Sequence, residues 1–319
     1  MSSIISTDIN KAAELLKNGS VVGIPTETVY GLGASIFNPI AIDYIFELKK
    51  RPRTNPLIVH ISSVRQLSDL TTEFPKPAQK LADAFWPGSL TMVLPKSDKV
   101  PYQITANKPT VAVRIPDHPV FLKLIDLAGP IAAPSANPYE RISPTTAIHV
   151  ASYFPLGLPL VIDGGSCKNG IESTIVGFEE DKVIIYRLGS ISVEEIEAVV
   201  GKVALKNEAN EANITPGMSQ KHYAPITKTI VTDFIEDFIE DFKQQKIGVI
   251  RFMTEEKNDN VTKHLTLSPE GSLEEAASNI YAYLHELDEL KLDFILIEPL
   301  PNRGVGRSIN DRLKRATHL

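Results

Sequence analysis

The sequence predicts an α/β protein built from two units. Three observations carry that prediction. Short apolar runs alternate with amphipathic helical patterns along the chain. Several of those patterns begin or end on explicit capping signals. Near Lys206 the composition changes, and a polar stretch low in aromatics separates a long first unit from a shorter second one. The 319 residues are enough for two ordinary domains.

Thr7 to Lys17 is predicted helical, with Ile9, Ala12, Ala13 and Leu16 on one face and Asn18-Gly19 as its stop. Val21-Val22 is a strand that runs into Gly23-Ile24-Pro25-Thr26-Glu27-Thr28-Val29-Tyr30-Gly31-Leu32-Gly33. Asn38-Pro39 supplies an N-cap and a first helical residue, and Ile42, Ile45, Phe46 and Lys49 share the face of the helix that follows. Leu57 to Ile61 has the pattern of a buried strand. Pro77 to Phe85 is a helix, Trp86-Pro87-Gly88 a turn, and Leu90 to Leu94 a strand. Thr110 to Arg114 alternates as a strand ending on a charge. Ile131 to Asn137 and Leu160 to Gly165 are short strands breaking into polar loops. Ser173 to Val176 and Val183 to Tyr186 form a hairpin, with Arg187 after its second strand. Ser192-Val193-Glu194-Glu195 is a capping box for a helix to Val200.

Residues 207–228 have the character of a linker, although His222 and Tyr223 are unusual for a plain spacer. From Thr229 onward the alternation predicts a small parallel α/β domain. Its elements are a helix carrying Phe234, Ile235, Phe238, Ile239 and Phe242, a strand Ile247 to Phe252, a capped helix from Ser272 to about Leu290, a strand Phe294 to Ile297, and a basic helix Arg307 to Arg315.

Composition narrows the function classes. A net charge of −6 excludes a protein that coats nucleic acid with its whole surface. One cysteine, Cys167, leaves no intrachain disulfide framework and no cysteine metal site. The N-terminus lacks the pattern of a secretory signal and no stretch has the length of a membrane span, so a cytoplasmic protein is expected.

The residues that could carry chemistry each admit two readings. The stretch from Gly23 to Gly33 is a tight strand-to-helix connection or the floor of a pocket for a polar ligand. It matches neither phosphate-loop spacing. Lys49-Lys50-Arg51-Pro52-Arg53 is a charged helix C-terminus or, beside Asn55, a cationic fork for polyphosphate. His60 is a satisfied strand histidine or a ligand contact. Arg114 requires a carboxylate or phosphate partner, internal or bound. Ser135 and Asn137, and again Ser173-Thr174 and Arg187, are plain turns or ligand contacts at strand ends. H-E-x-x-H, paired cysteines and G-x-S-x-G are all absent. Cations, hydroxyls and amides suit positioning and charge stabilisation around phosphates better than nucleophilic attack.

Several ordered motifs together resemble the YrdC/Sua5 family of threonylcarbamoyl-AMP synthases. They are Pro25 to Gly33, Lys49-Lys50-Arg51-Pro52, Asn55-Pro56-Leu57, Trp86-Pro87-Gly88, Pro134-Ser135-Ala136-Asn137 and Glu172-Ser173-Thr174-Ile175-Val176. The family's K-x-R…S-x-N signature is present as Lys49, Arg51, Ser135 and Asn137. The likeness spans about residues 5–205, and Gly304 to Arg312 resembles the extra domain of the longer Sua5 form. The resemblance implies a YrdC-like twisted mixed sheet with helices, plus a smaller C-terminal Rossmann-like parallel α/β domain. It implies a catalytic domain over 1–206, a linker over 207–228 lying across the active site, and a C-terminal domain over 229–319.

The implied reaction joins threonine, bicarbonate (or CO2) and ATP into threonylcarbamoyl-adenylate and pyrophosphate, for t6A37 modification of ANN-decoding tRNA. Mg2+ would ride on the ATP phosphates, with no protein side chain as its ligand. Lys49 and Arg51 take the catalytic positions. Tyr30, His60, Arg114 and Ser173 resemble threonine contacts, Arg114 facing the carboxylate. Arg51, Asn55, Thr110, Ser135, Asn137, Ser143, Arg187 and Tyr223 resemble nucleotide contacts. Glu27 is expected to make a structural hydrogen bond within its turn. The implied partner is the machinery that transfers the product to tRNA. Two other readings are a carbamoyl-adenylate-handling carbamoyltransferase domain, for whose zinc fingers one cysteine leaves no room, and an RNA- or tRNA-binding protein using a patch near Lys49 to Arg53. The basic last helix fits gating, partner binding or oligomerisation.

Overall fold

The computed structural model describes residues 4–179, 182–206, 223–254 and 258–317. Most of the predicted linker, including His222, lies outside the described residues.

Two sheets organise the chain. The first has eleven strands in the order Ile5–Ser6, Val161–Ile162, Val22–Ile24, Gly31–Ser35, Ile131–Ala132, Ile58–His60, Thr110–Arg114, Leu90–Pro95, Thr174–Glu179, Lys182–Arg187, Ala204–Leu205. Parallel and antiparallel pairs are mixed in it. Ile58–His60 runs parallel to Thr110–Arg114 and antiparallel to Ile131–Ala132. Alternation along the strands sends side chains to two faces. Val21, Leu32 and Ala34 join the helix Pro39–Lys49 in the larger core, while Val22, Ile24 and Ile131 pack under helices Ile9–Lys17 and Pro119–Ala128. The helix starts follow their caps. Asp8 accepts from Lys11 N, Asn38 from Ala41 N, and Ser192 and Glu195 close the predicted capping box.

The second sheet is entirely parallel, in the order Lys228–Val231, Phe294–Ile297, Ile247–Arg251, Lys263–Thr266. Helix Leu273–Glu289 and the last helix, Gly306–Ala316, cover one face. That core crosses between the sheets. Val29, Ile142 and Ile171 pack in the same cluster as Tyr223, Tyr281, Leu284 and Leu313. The C-terminal unit is therefore seated on the first through an apolar surface.

Three local expectations change. Gly31–Ser35 is a strand antiparallel to Val22–Ile24, so the opening stretch joins two strands rather than a strand and a helix. Its glycines are there for close packing. A Cβ at Gly33 would stand 2.2 Å from Ile24 Cδ1, and one at Gly31 would stand 3.1 Å from Ala133 Cβ. The final helix is not a basic surface throughout, because Arg312 is 1% exposed. Helices Pro119–Ala128 and Ala147–Tyr153 and strands Lys228–Val231 and Lys263–Thr266 were not predicted. Among the described residues no helix is long and apolar enough to cross a membrane.

Candidate active site

A cavity opens where the central strands end. The parallel register sets His60 beside Arg114 at its base. The connection Pro25 to Tyr30 supplies Thr26, Thr28, Val29 and Tyr30, and the loop after Ile131–Ala132 supplies Ala133, Pro134 and Ser135. Arg51 enters from the end of helix Pro39–Lys49. Glu172, Ser173 and Arg187 come from the hairpin, and Tyr223 from the segment just before the second sheet.

On the His60 side, Arg114 is fixed in three directions. Its Nε donates to Gly88 O at 3.0 Å, Nη1 to Thr28 Oγ1 at 3.0 Å, and Nη2 lies 2.5 Å from Glu27 Oε1. Burial pushes the Glu27 carboxyl up, but Arg114 more than offsets it and holds it below the usual carboxylate range. Glu27 is thus the internal partner that Arg114 required. Its bonds reach outside its own turn, including one accepted from Ser89 Oγ at 3.2 Å. His60 is pushed down to about 3 by burial, and next by Arg114, so its ring is neutral. Its Nδ1 is buried and has no hydrogen-bond partner among the described residues. The Tyr30 hydroxyl donates to Gly165 O at 2.8 Å and accepts from Gly164 N at 3.1 Å, which turns the ring into a fixed wall.

Across the cavity, Arg187 donates from Nε and Nη2 to Ser173 O at 3.1 and 2.8 Å, and from Nη2 to Ser173 Oγ at 3.0 Å. Thr91 Oγ1 lies 2.8 Å from the same hydroxyl. Arg51 donates to Asn55 O and Pro56 O at 3.3 and 2.9 Å. Burial pulls it down to about 10, with the Arg187 charge acting in the same direction.

Of the sequence-predicted residues, Tyr30, Arg51, His60, Arg114, Ser135, Ser173, Arg187 and Tyr223 line one cavity. Lys49, Asn55, Thr110, Asn137 and Ser143 do not. Lys49 is fully buried, and its Nζ donates to Ser135 O at 2.6 Å and Asn137 O at 2.5 Å. It therefore pins the Ser135–Asn137 loop. Asn137 Nδ2 bonds Pro138 O and Arg141 O, both at 2.9 Å. Thr110 stands at the opposite end of its strand from Arg114 and pairs with Pro95. Ser143 Oγ donates to Glu172 Oε1 at 2.6 Å.

Glu172 is the main lining residue that sequence reasoning left without a role. Besides Ser143 it accepts from Arg312 Nε at 2.9 Å and from the Tyr281 hydroxyl at 3.2 Å. Burial raises its carboxyl, but Arg312, Arg187 and these hydrogen bonds bring it below its ordinary value. Its motif was visible, but Tyr281 and Arg312 lie more than a hundred residues away. Thr28 was legible only as one hydroxyl among three.

The family described as "Telomere recombination" matches residues 14–189, and "Threonylcarbamoyl-AMP synthase, C-terminal domain" matches residues 191–317. The threonylcarbamoyl-AMP synthase of Bacillus subtilis is 42% identical, covering 97% of this chain and 92% of its own. That of Pyrococcus abyssi is 40% identical, covering 97% and 94%. The crystal structure of P. abyssi Sua5 complexed with L-threonine superposes with a TM-score of 0.92 at 40% identity, over 97% of this chain and 94% of that one. With both units matched in order, and relatives 40–42% identical over nearly the whole chain, the chain belongs to the YrdC/Sua5 family, in its longer Sua5 form.

Proposed function

We propose that the protein makes L-threonylcarbamoyl-adenylate from L-threonine, bicarbonate (or CO2) and Mg2+-bound ATP, releasing pyrophosphate, in the cytoplasm and for t6A modification of tRNA. One observation carries the reading. Arg51, Arg114 and Arg187 converge with neutral His60 and Ser173 on one cavity, in a chain similar over nearly its full length to a protein crystallised with L-threonine.

Arg114 takes the threonine carboxylate. Hydrogen bonds to Gly88 and Thr28 and an ion pair with Glu27 hold it, so the guanidinium plane is set before substrate arrives. His60 offers a neutral ring with an open Nδ1 beside it, so no imidazolium opposes the substrate amine. The amine adds to CO2 and loses a proton, giving a carbamate. A carbamate oxygen then attacks the α-phosphorus, the bond to the bridging oxygen breaks, and pyrophosphate leaves. Arg51, Arg187 and the Ser135 loop surround the charge that moves onto pyrophosphate, so catalysis is positioning plus electrostatic stabilisation. The divalent ion comes with ATP as part of the substrate. Glu172, a carboxylate of the lining, has its oxygens engaged by Ser143, Tyr281 and Arg312.

In this reading residues 1–206 are the catalytic domain, 229–319 brace it, and Tyr223, where the described part of the intervening segment begins, covers the cavity. Tyr223 supports that division. It is 1% exposed, lines the cavity, and stacks on Tyr281 of the second unit with ring centroids 5.8 Å apart. A cover of this kind protects an adenylate from water.

The test is pyrophosphate release with ATP, Mg2+, bicarbonate and labelled threonine. Release that requires both threonine and bicarbonate is expected. Nucleotide turnover indifferent to threonine would refute the proposal. Tight, salt-sensitive RNA binding without turnover would favour the RNA-binding alternative.

A further inference from the structure

Arg312 lies on the last helix, far along the chain from every residue assigned to the chemistry, and is buried on the apolar face shared with Ile309, Leu313 and Ala316. Its guanidinium nevertheless touches both backbone segments that carry the hairpin's functional residues. Nε donates to Glu172, immediately before Ser173, at 2.9 Å. Nη2 donates to Leu188 O, immediately after Arg187, at 2.6 Å. Its carbon stands 5.2 Å from the centroid of the Tyr223 ring. One turn earlier, Ser308 Oγ donates to Gly189 O at 2.8 Å. The helix therefore grips residues 188–189 at two points while its arginine reaches across to Glu172.

We propose that Arg312 is a positioning residue for the nucleotide side of the site, fastening Glu172 to Leu188 and backing Tyr223 so that Arg187 and Tyr223 face the nucleotide. This rests on the reading of the cavity as a threonine–ATP site. It also gives the C-terminal unit a function in the reaction. Only a planar fork can address these partners at once, with Nη1 on Asp311 at 2.8 Å as well. Glu172 and Asp311 compensate the charge that burial would otherwise leave exposed to a low dielectric.

Most of the threonine side is held by contacts outside this clamp. Arg114 is held by Gly88, Thr28 and Glu27, Tyr30 by Gly164 and Gly165, and the Ser173 hydroxyl also by Thr91. The two substrates should therefore respond differently to loss of Arg312, which a merely structural role would not produce.

The experiment compares full-length Arg312→Gln, Arg312→Lys and Ser308→Ala with the wild type. Threonine binding is measured by calorimetry, ATP KM and kcat by pyrophosphate release at saturating threonine, and folding by thermal melting. In Arg312→Gln the ATP KM should rise about 3- to 30-fold, the range in which residues remote from both ligands shift coupling, with threonine affinity kept within about twofold. Arg312→Lys should fall between it and wild type, and Ser308→Ala should move ATP KM in the same direction by less. Adding Glu172→Gln to Arg312→Gln should recover part of the loss, because it removes the stranded carboxylate that would draw Arg187 away. An unchanged ATP KM in Arg312→Gln would overturn the proposal, as would threonine and ATP affinities falling together in step with the melting temperature. Should Arg312→Gln fail to fold, an unchanged ATP KM in Ser308→Ala would overturn it. A wild type that releases no pyrophosphate would overturn the functional reading instead.

Discussion

Acidification from pH 8 to pH 5 should destabilise this fold through imidazoles that are neutral when folded. Burial pushes His60 and His285 down to about 3, with Arg114 adding to the first and His149 to the second, and burial alone pushes His149 down to about 4. In the unfolded chain these groups titrate near about 6.5. Between the two ranges the unfolded state binds protons that the folded state refuses. Stability is therefore full above about pH 6.5 and falls as pH drops, until the folded values are reached. At pH 5 the loss is about 2 kcal/mol for each such histidine. The buried carboxylates titrate below this window. Glu27 and Glu172 are held below the ordinary carboxylate value, so their stabilisation is present above about pH 4.5 and is lost only as pH falls through their folded values.

His285→Gln isolates one histidine. His285 stacks on His149 with ring centroids 3.9 Å apart, between the two units, and its Nε2 donates to Ser143 O at 3.2 Å. Glutamine keeps a donor there but does not titrate. Urea unfolding at both pH values should show the wild type losing about 2 kcal/mol more than the variant. Equal losses would refute the assignment of a neutral, buried imidazole to that interface.

Three further outcomes are expected. Arg51→Ala should lower turnover by about 10²-fold or more while the melting temperature stays near wild type, if Arg51 acts on departing pyrophosphate as proposed; an unfolded variant would make the cluster structural instead. Lys49→Met should cost about 2 kcal/mol, since two buried carbonyls lose their donor, and should lower kcat by loosening the Ser135 loop. A higher ATP KM at unchanged stability would instead mean that Lys49 reaches the phosphates. Gly189→Ala should cost about 3 kcal/mol in thermal or urea unfolding and reduce turnover, because the new Cβ would stand 2.3 Å from the Ser173 and Thr174 backbone, which cannot give way like a side chain.

Sequence reasoning reached most of this site because its residues stand at strand ends, where periodicity breaks onto a polar group. Arg114 after Val113, Ser173 before Thr174 and Arg187 after Tyr186 all declare themselves in that way. The second sheet was legible as parallel because its buried strands alternate with capped helices. What stayed hidden depends on pairing across long separations. No local pattern couples Glu27 to Arg114, or Glu172 to Arg312. A lysine in a basic cluster carries no mark of the two carbonyls that hold Lys49. Gly31–Ser35 was missed because glycines suggest loops, whereas here they let neighbouring side chains approach the sheet. Arg312 did leave a signal. It falls on the face of Ile309, Leu313 and Ala316, and a charge on an apolar helical face calls for an internal partner.

Under the proposed function, the arrangement of charge suits a net acidic chain to a polyanionic substrate. The two carboxylates nearest the cavity are both committed. Glu27 lies against Arg114, and Glu172 against Arg312. Arg51 bonds carbonyls and has no carboxylate partner among the described residues. Arg187 bonds Ser173, and the charges of Arg51 and Arg187 oppose each other within the buried wall. Holding two such cations together costs energy in the empty protein, and the apolar seat of the C-terminal unit and the Arg312 clamp help sustain it. In the proposed reaction a triphosphate would relieve that repulsion, and the charge growing on pyrophosphate would relieve it further, so part of the stabilisation would be larger in the transition state than in the ground state. The threonine side follows the opposite rule. Arg114 is already neutralised by Glu27, so a zwitterionic amino acid meets a fixed fork and a neutral imidazole, and its amine is not repelled.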